Sequence, residues 1–213
     1  MKTKMKALIL ALSAVLLVVA TVFTTVAFLK DSSNVVKNTF TVGDVAIELD
    51  ETDIVNGGRT KTGNQYHLMP GGVYTKDPTV TVLKNSEDCY VRMLVTVNNI
   101  SKLKAAFDSS YVVDGVFLLQ NLVDWNTAWE FEACVEDTQK DTAVYEFRYN
   151  KLVEKNANAN TQLPALFTTI TLPGDLDNDA IAKLADVSID VIAHAMQAQG
   201  FEGDMDKAWN NFG

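Results

Sequence analysis

From about residue 38 onward, apolar and polar residues alternate with a period of two, in short runs broken by turn residues. That period marks strands with one face buried and the other wet. Phe40 and Val42 lead to Gly43, after which Val45, Ile47 and Leu49 continue on shifted parity, so a bulge is expected at the glycine. Positions 56–64, NGGRTKTGN, hold no apolar residue and predict a loop. Pro70-Gly71-Gly72 predicts a turn, with strands to follow at 78–83 and 89–97. A short helix is expected at 102–107 with Ser101 as its cap. Further strands are expected at 111–119, 128–135, 143–149, 166–172 and 187–198, the polar stretch EDTQKD turning the chain between two of them. A helix at 179–185 and a closing helix at 205–212 complete the list. In the last, Met205, Ala208, Trp209 and Phe212 recur at helical spacing and predict an amphipathic clasp on the sheet. About eight evenly spaced strands with few helices argue for a mainly β, antiparallel sandwich of jelly-roll type. It would form one domain over residues 41–213.

The N-terminus breaks this pattern. Lys2, Lys4 and Lys6 precede a run from Ala7 to Leu29 without a charged residue. A run of that length could span a bilayer as a helix. A basic start and an apolar stretch closed by small residues also define a secretory signal. Thr25-Val26-Ala27 supplies that close, so a signal helix over residues 1–27 with cleavage between Ala27 and Phe28 is expected; the alternative is an uncleaved anchor. Either places the remaining chain outside the cytoplasmic membrane, with membrane contact only through residues 1–29. Residues 28–40 then form a short N-terminal arm.

Loss of residues 1–27 removes three lysines and no acid, taking the formal charge from −9 to −12. Such a surface repels nucleic acid and anionic headgroups, so neither is an expected partner. The two cysteines, Cys89 and Cys134, would close a long loop if bridged. Cys89 is in register with Val91, Met93, Val95 and Val97, but Cys134 shares parity with Glu130 and Glu132. One buried and one surface thiol is the plainer expectation.

Candidate chemistry is sparse. His67 and His194 are far apart, and neither stands in an H-E-x-x-H spacing. The segment PGDLDNDAIAKLAD (173–186) sets Asp175, Asp177, Asp179 and Asp186 at positions one, three, five and twelve of a calcium-loop pattern. Ala180 stands where that loop needs glycine, so helix capping by Asp177 or Asn178 is the simpler account and calcium the weaker one. No other cofactor is indicated. Trp129, alternating with Phe131 and Ala133, is expected on a core face.

Three segments carry a family likeness: VAFLKDSSNVVKNTFTVGDVAIELDE (26–51), LMPGGVYTKDPTVTVLKNSEDCYVRMLVTV (68–97) and VSIDVIAHAMQAQGF (187–201). In order and spacing they resemble the TasA/camelysin family of secreted Gram-positive proteins. The resemblance implies a jelly-roll domain, export through a dedicated signal peptidase, and self-association into extracellular biofilm-matrix fibres. In those fibres the arm of one subunit completes a sheet of the next. The arm here would be residues 28–40, with Phe28, Val36 and Phe40 sharing one parity as anchors. Camelysin-type members are described as metal-dependent endopeptidases, an alternative that this chain enters without a recognised zinc motif. A monomeric or anchored cell-surface module is the third expectation.

Overall fold

The computed structural model describes residues 31–33, 45–52, 59–60, 63–64, 66–201 and 203–212. The expected signal segment, the cleavage pair Ala27 and Phe28, the anchors Val36 and Phe40, and the bulge at Gly43 lie outside these residues. In chain order the elements are β1 (Asp31–Ser33), β2 (Ile47–Asp50), β3 (Arg59–Thr60), β4 (Gly63–Asn64), β5 (Val73–Thr75), β6 (Thr79–Val82) and β7 (Cys89–Asn98). Next come α1 (Ile100–Ala106), β8 (Val112–Val113), β9 (Val116–Phe117), β10 (Trp129–Asp137), β11 (Thr142–Tyr149), β12 (Thr161–Gln162) and β13 (Thr169–Thr171). The chain closes with α2 (Asn178–Leu184), β14 (Ser188–Gln197) and α3 (Met205–Asn210).

The protein is mainly β, and its strand pairs are antiparallel. The largest sheet has the order β1-β14-β7-β11-β10, a second has β12-β6-β2, and β13 pairs with β5. β7 is central because its alternation is strict. Val91, Met93, Val95 and Val97 are fully buried on one face, while Arg92, Leu94, Thr96 and Asn98 are half-buried on the other. The inner residues pack with Ile47, Leu49, Val80 and Val82 of the second sheet in one continuous core. Each such side chain contributes roughly 1.5–3 kcal/mol on burial.

Several expectations need correction. The strand expected at 111–119 is a 3-10 turn followed by the tight β8–β9 hairpin, reversed at Asp114 and Gly115, both of positive φ. Positive φ at both central residues suits a two-residue hairpin turn and ends any longer strand. The strand at 166–172 shortens to β13. Ser101 does not cap α1 but lies within its first turn, donating its N–H and its hydroxyl to Asp141 at 2.9 and 2.7 Å. The cap position is Asn99, in the left-handed region, with its amide donating to the Asp186 carbonyl. A carboxylate from the β10–β11 turn therefore does the work that a local serine was expected to do.

The largest parity correction sits in β10. Phe131 opposes Phe147 while Ala133 opposes Glu146, so Glu132 is a bulge. The extra residue flips every later side chain. Ala133 points outward with the polar face, and Phe131 is half exposed at the sheet edge, so neither joins Trp129 in the core. Cys134 turns inward opposite Tyr145 and is half-buried rather than on the surface. Both thiols are free. Cys134 is in register with Val95 through Tyr145, six residues along β7 from Cys89. That separation is about 20 Å along the strand and about 10 Å across it, whereas a disulfide needs Cα atoms within about 7 Å.

Candidate assembly edge

β14 lies between β7 and β1, so it decides what the sheet presents on that side. All ten of its residues are in register with β7, from Ser188 opposite Asn98 to Gln197 opposite Cys89. On its other side the described pairs are three: Asp31 with Ala195, Ser32 with His194 and Ser33 with Ala193. β14 alternates Val191, Ala193 and Ala195, all buried in the core, with Asp190, Ile192, His194 and Met196 on the outer face. Its single charged side chain, Asp190, accepts a hydrogen bond from Asn98 at 2.7 Å. β14 thus carries one charged side chain over ten residues, and it takes up a further strand on the side away from β7. The segment that pairs with it comes from the arm.

The far edge of the same sheet is different. β10 carries the bulge at Glu132, and Glu130, Glu132, Glu136 and Asp137 crowd acid along it. Bulges and charges are the usual means of blocking edge-to-edge pairing. Glu132 and Glu146 are both engaged by Arg148, at 3.5 and 2.8 Å. One edge is guarded and the other accepts a strand.

The outer face beside the accepting edge carries a second, smaller core of Tyr90, Met196, Ala198, Ala208 and Trp209, with Phe201, Met205 and Phe212 against it. The expected amphipathic clasp is therefore present as α3, capped by Asp204 accepting from the Lys207 N–H at 2.9 Å. Arg92 is its hub. The guanidinium sits 4.6 Å from the Trp209 ring and 4.7 Å from the Phe212 ring. It also pairs with Glu146 at 3.4 Å and donates from Nε to His194 Nδ1 at 3.2 Å. The His194 ring stacks on Phe212 with centroids 4.8 Å apart. Burial, reinforced by the neighbouring Arg92 charge and only partly offset by Glu146, pulls the His194 imidazole down to about 4. Burial likewise lowers Arg92, with Glu146 opposing the shift.

The other expected site residues do not converge. Asp177 caps α2, its carboxylate accepting from the Ala180 N–H at 2.7 Å, and Asp179 lies in the first turn, where it suits the helix dipole. Asp186 pairs with Lys102, and Asp175 is exposed. Among the described residues, no three His, Cys, Asp or Glu side chains come close enough to hold a metal. His67 is exposed in the loop before the Pro70 turn and far in sequence from the buried His194. Trp129 is buried in the main core, and its indole N–H donates to the Pro164 carbonyl at 2.9 Å. Among the described residues, no helix is long and apolar enough to cross a membrane.

Two features escape a reading of the sequence. Arg92 is one polar residue on an alternating strand, and nothing local marks it as the hub of a cluster. Lys76 and Glu51 form a buried ion pair at 2.7 Å across 25 residues of sequence. They line a cavity of about 860 Å3 together with Leu68, Leu122, Ile170, Leu184 and Ile189. The chain matches no established protein family, no curated protein and no solved structure.

Proposed function

We propose that this is a secreted structural protein of the TasA/camelysin kind. Its jelly-roll-type sandwich would assemble into extracellular fibres by addition of the N-terminal arm to the β14 edge. One observation carries the reading: Asp31–Ser33, inside the expected arm, pairs antiparallel with β14 on the side of the sheet away from β10. A strand that fills its own edge can fill the same edge of a neighbour with the same backbone hydrogen bonds. Exchange between the two is then governed by concentration rather than by new contacts. The acidic, bulged β10 edge supports this reading, because it leaves one direction of growth. Cleavage between Ala27 and Phe28 would free the arm from the membrane segment.

Deleting Phe28–Lys37 from the mature protein tests the proposal. The expected product is a folded monomer, with unchanged β-sheet circular dichroism, that forms no filaments under electron microscopy. Filaments like those of the intact protein would overturn it. Mass spectrometry of the secreted chain should find Phe28 as the first residue.

A further inference from the structure

The clasp is built unlike the rest of the molecule. Its small core is separate from the main one, and α3 has only six residues. Among the described residues the buried Trp209 indole N–H meets no acceptor, which weakens the packing it sits in. What holds the clasp is a short set of contacts to the outer face. The Gly203 N–H donates to the Tyr90 hydroxyl at 3.0 Å, Arg148 pairs with Asp206 at 2.6 Å, and Arg92 lies against Trp209 and Phe212. Segments with small private cores open independently of the global fold.

We propose that residues 203–212 form a separately opening clasp, which acid detaches from the sheet by protonating His194 while the main core stays folded. The imidazole is 9% exposed, stacked on Phe212, and its Nδ1 accepts the Arg92 hydrogen bond. A proton on Nδ1 removes that acceptor and places a second positive charge beside the guanidinium. The charged groups that act on it are Arg92 from β7 and Glu146 from β11; Arg148 of β11 in turn pairs with Glu146 and with Asp206 of α3, and β1 sets Ser32 opposite His194 in register. Glu146 is shared between both arginines and cannot be devoted to the imidazolium.

The sign follows from the lowered value. The closed form binds fewer protons than the open form between about pH 6.5 and 4, so the neutral imidazole's contribution to closure is fully present above the upper limit and is lost as pH falls towards the lower. By pH 4 the open-to-closed ratio should have risen by roughly two orders of magnitude. Opening uncovers Tyr90 and Met196 on the face beside the accepting edge. This holds whether or not the protein forms fibres.

The experiment is acrylamide quenching of tryptophan emission in the dilute mature protein from pH 7 to 4. Trp209→Phe serves to isolate the Trp209 signal, and His194→Gln keeps an acceptor that does not titrate. The expected result is a Trp209 signal that becomes quenchable as pH falls while β-sheet circular dichroism persists, and that stays protected in His194→Gln. Any of three results would overturn the proposal. These are protection of Trp209 down to pH 4, equal opening in His194→Gln (which would assign the effect to the carboxylates), or opening that coincides with loss of the sheet signal.

Discussion

Replacing Lys76 with methionine isolates the buried ion pair and gives a large, calculable effect. Lys76 is 5% exposed and Glu51 7%, with Nζ and Oε1 2.7 Å apart. Glu51 directly follows β2 and Lys76 directly follows β5, so the pair ties two sheets together. The adjacent residues repeat the tie, with the Thr52 N–H and hydroxyl donating to Asp77 at 2.7 and 2.6 Å. Methionine approximates the lysine stem in volume but leaves Glu51 as a buried, uncompensated carboxylate. Breaking one half of such a pair costs about 3–5 kcal/mol. For a domain of this size each kcal/mol lowers Tm by roughly 2–4 °C, so a fall of about 6–20 °C is expected. Removing both charges together, in Lys76→Met with Glu51→Leu, should recover most of that loss, because an apolar pair of similar volume is often as stable as the ion pair. Urea unfolding followed by circular dichroism supplies both values. A single-variant cost below about 1 kcal/mol would refute the argument, as would a double variant no better than the single one.

Gly72 is crowded by its neighbour: an added Cβ would clash with the Tyr74 hydroxyl, which accepts from the Met69 N–H at 2.6 Å and donates to the His67 carbonyl at 3.1 Å and would have to give up those bonds to move aside. Gly72→Ala should therefore cost about 1–3 kcal/mol in urea unfolding, and much less in a Tyr74→Ala background; equal costs in both would show that the clash is not the cause. Burial pushes the Cys89 thiol up to about 12 and also raises Cys134. Native protein at pH 8 should accordingly react slowly with a thiol-specific disulfide reagent at both positions and fully only in urea. Rapid native labelling of Cys89, or a Cys89–Cys134 bridge in the non-reduced protein, would contradict the packing described.

Much of the fold is legible along the chain. β7, β11 and β14 alternate over eight to ten residues, long enough for the period to dominate, and their bounds fall within two residues of those expected. α2 and α3 carry their own signals, an aspartate cap followed by periodic apolar residues. The expectations that fail do so where a residue's partner is remote. Ser101 looks like a cap until Asp141 arrives from another turn. β10 reads as one uninterrupted strand because a bulge changes parity without changing composition.

The sequence by itself determined the antiparallel, mainly β character, the amphipathic clasp and the capped α2, since each is a periodic or nearest-neighbour property of the chain. Only the tertiary structure decided that Asp31–Ser33 lies on β14, that Cys134 faces inward, that Lys76 meets Glu51, and that Arg92 joins His194 to the clasp. These depend on strand order and register, which bring together residues tens of positions apart. A hydrophobic pattern sets which face of a strand is buried but not which strand lies beside it.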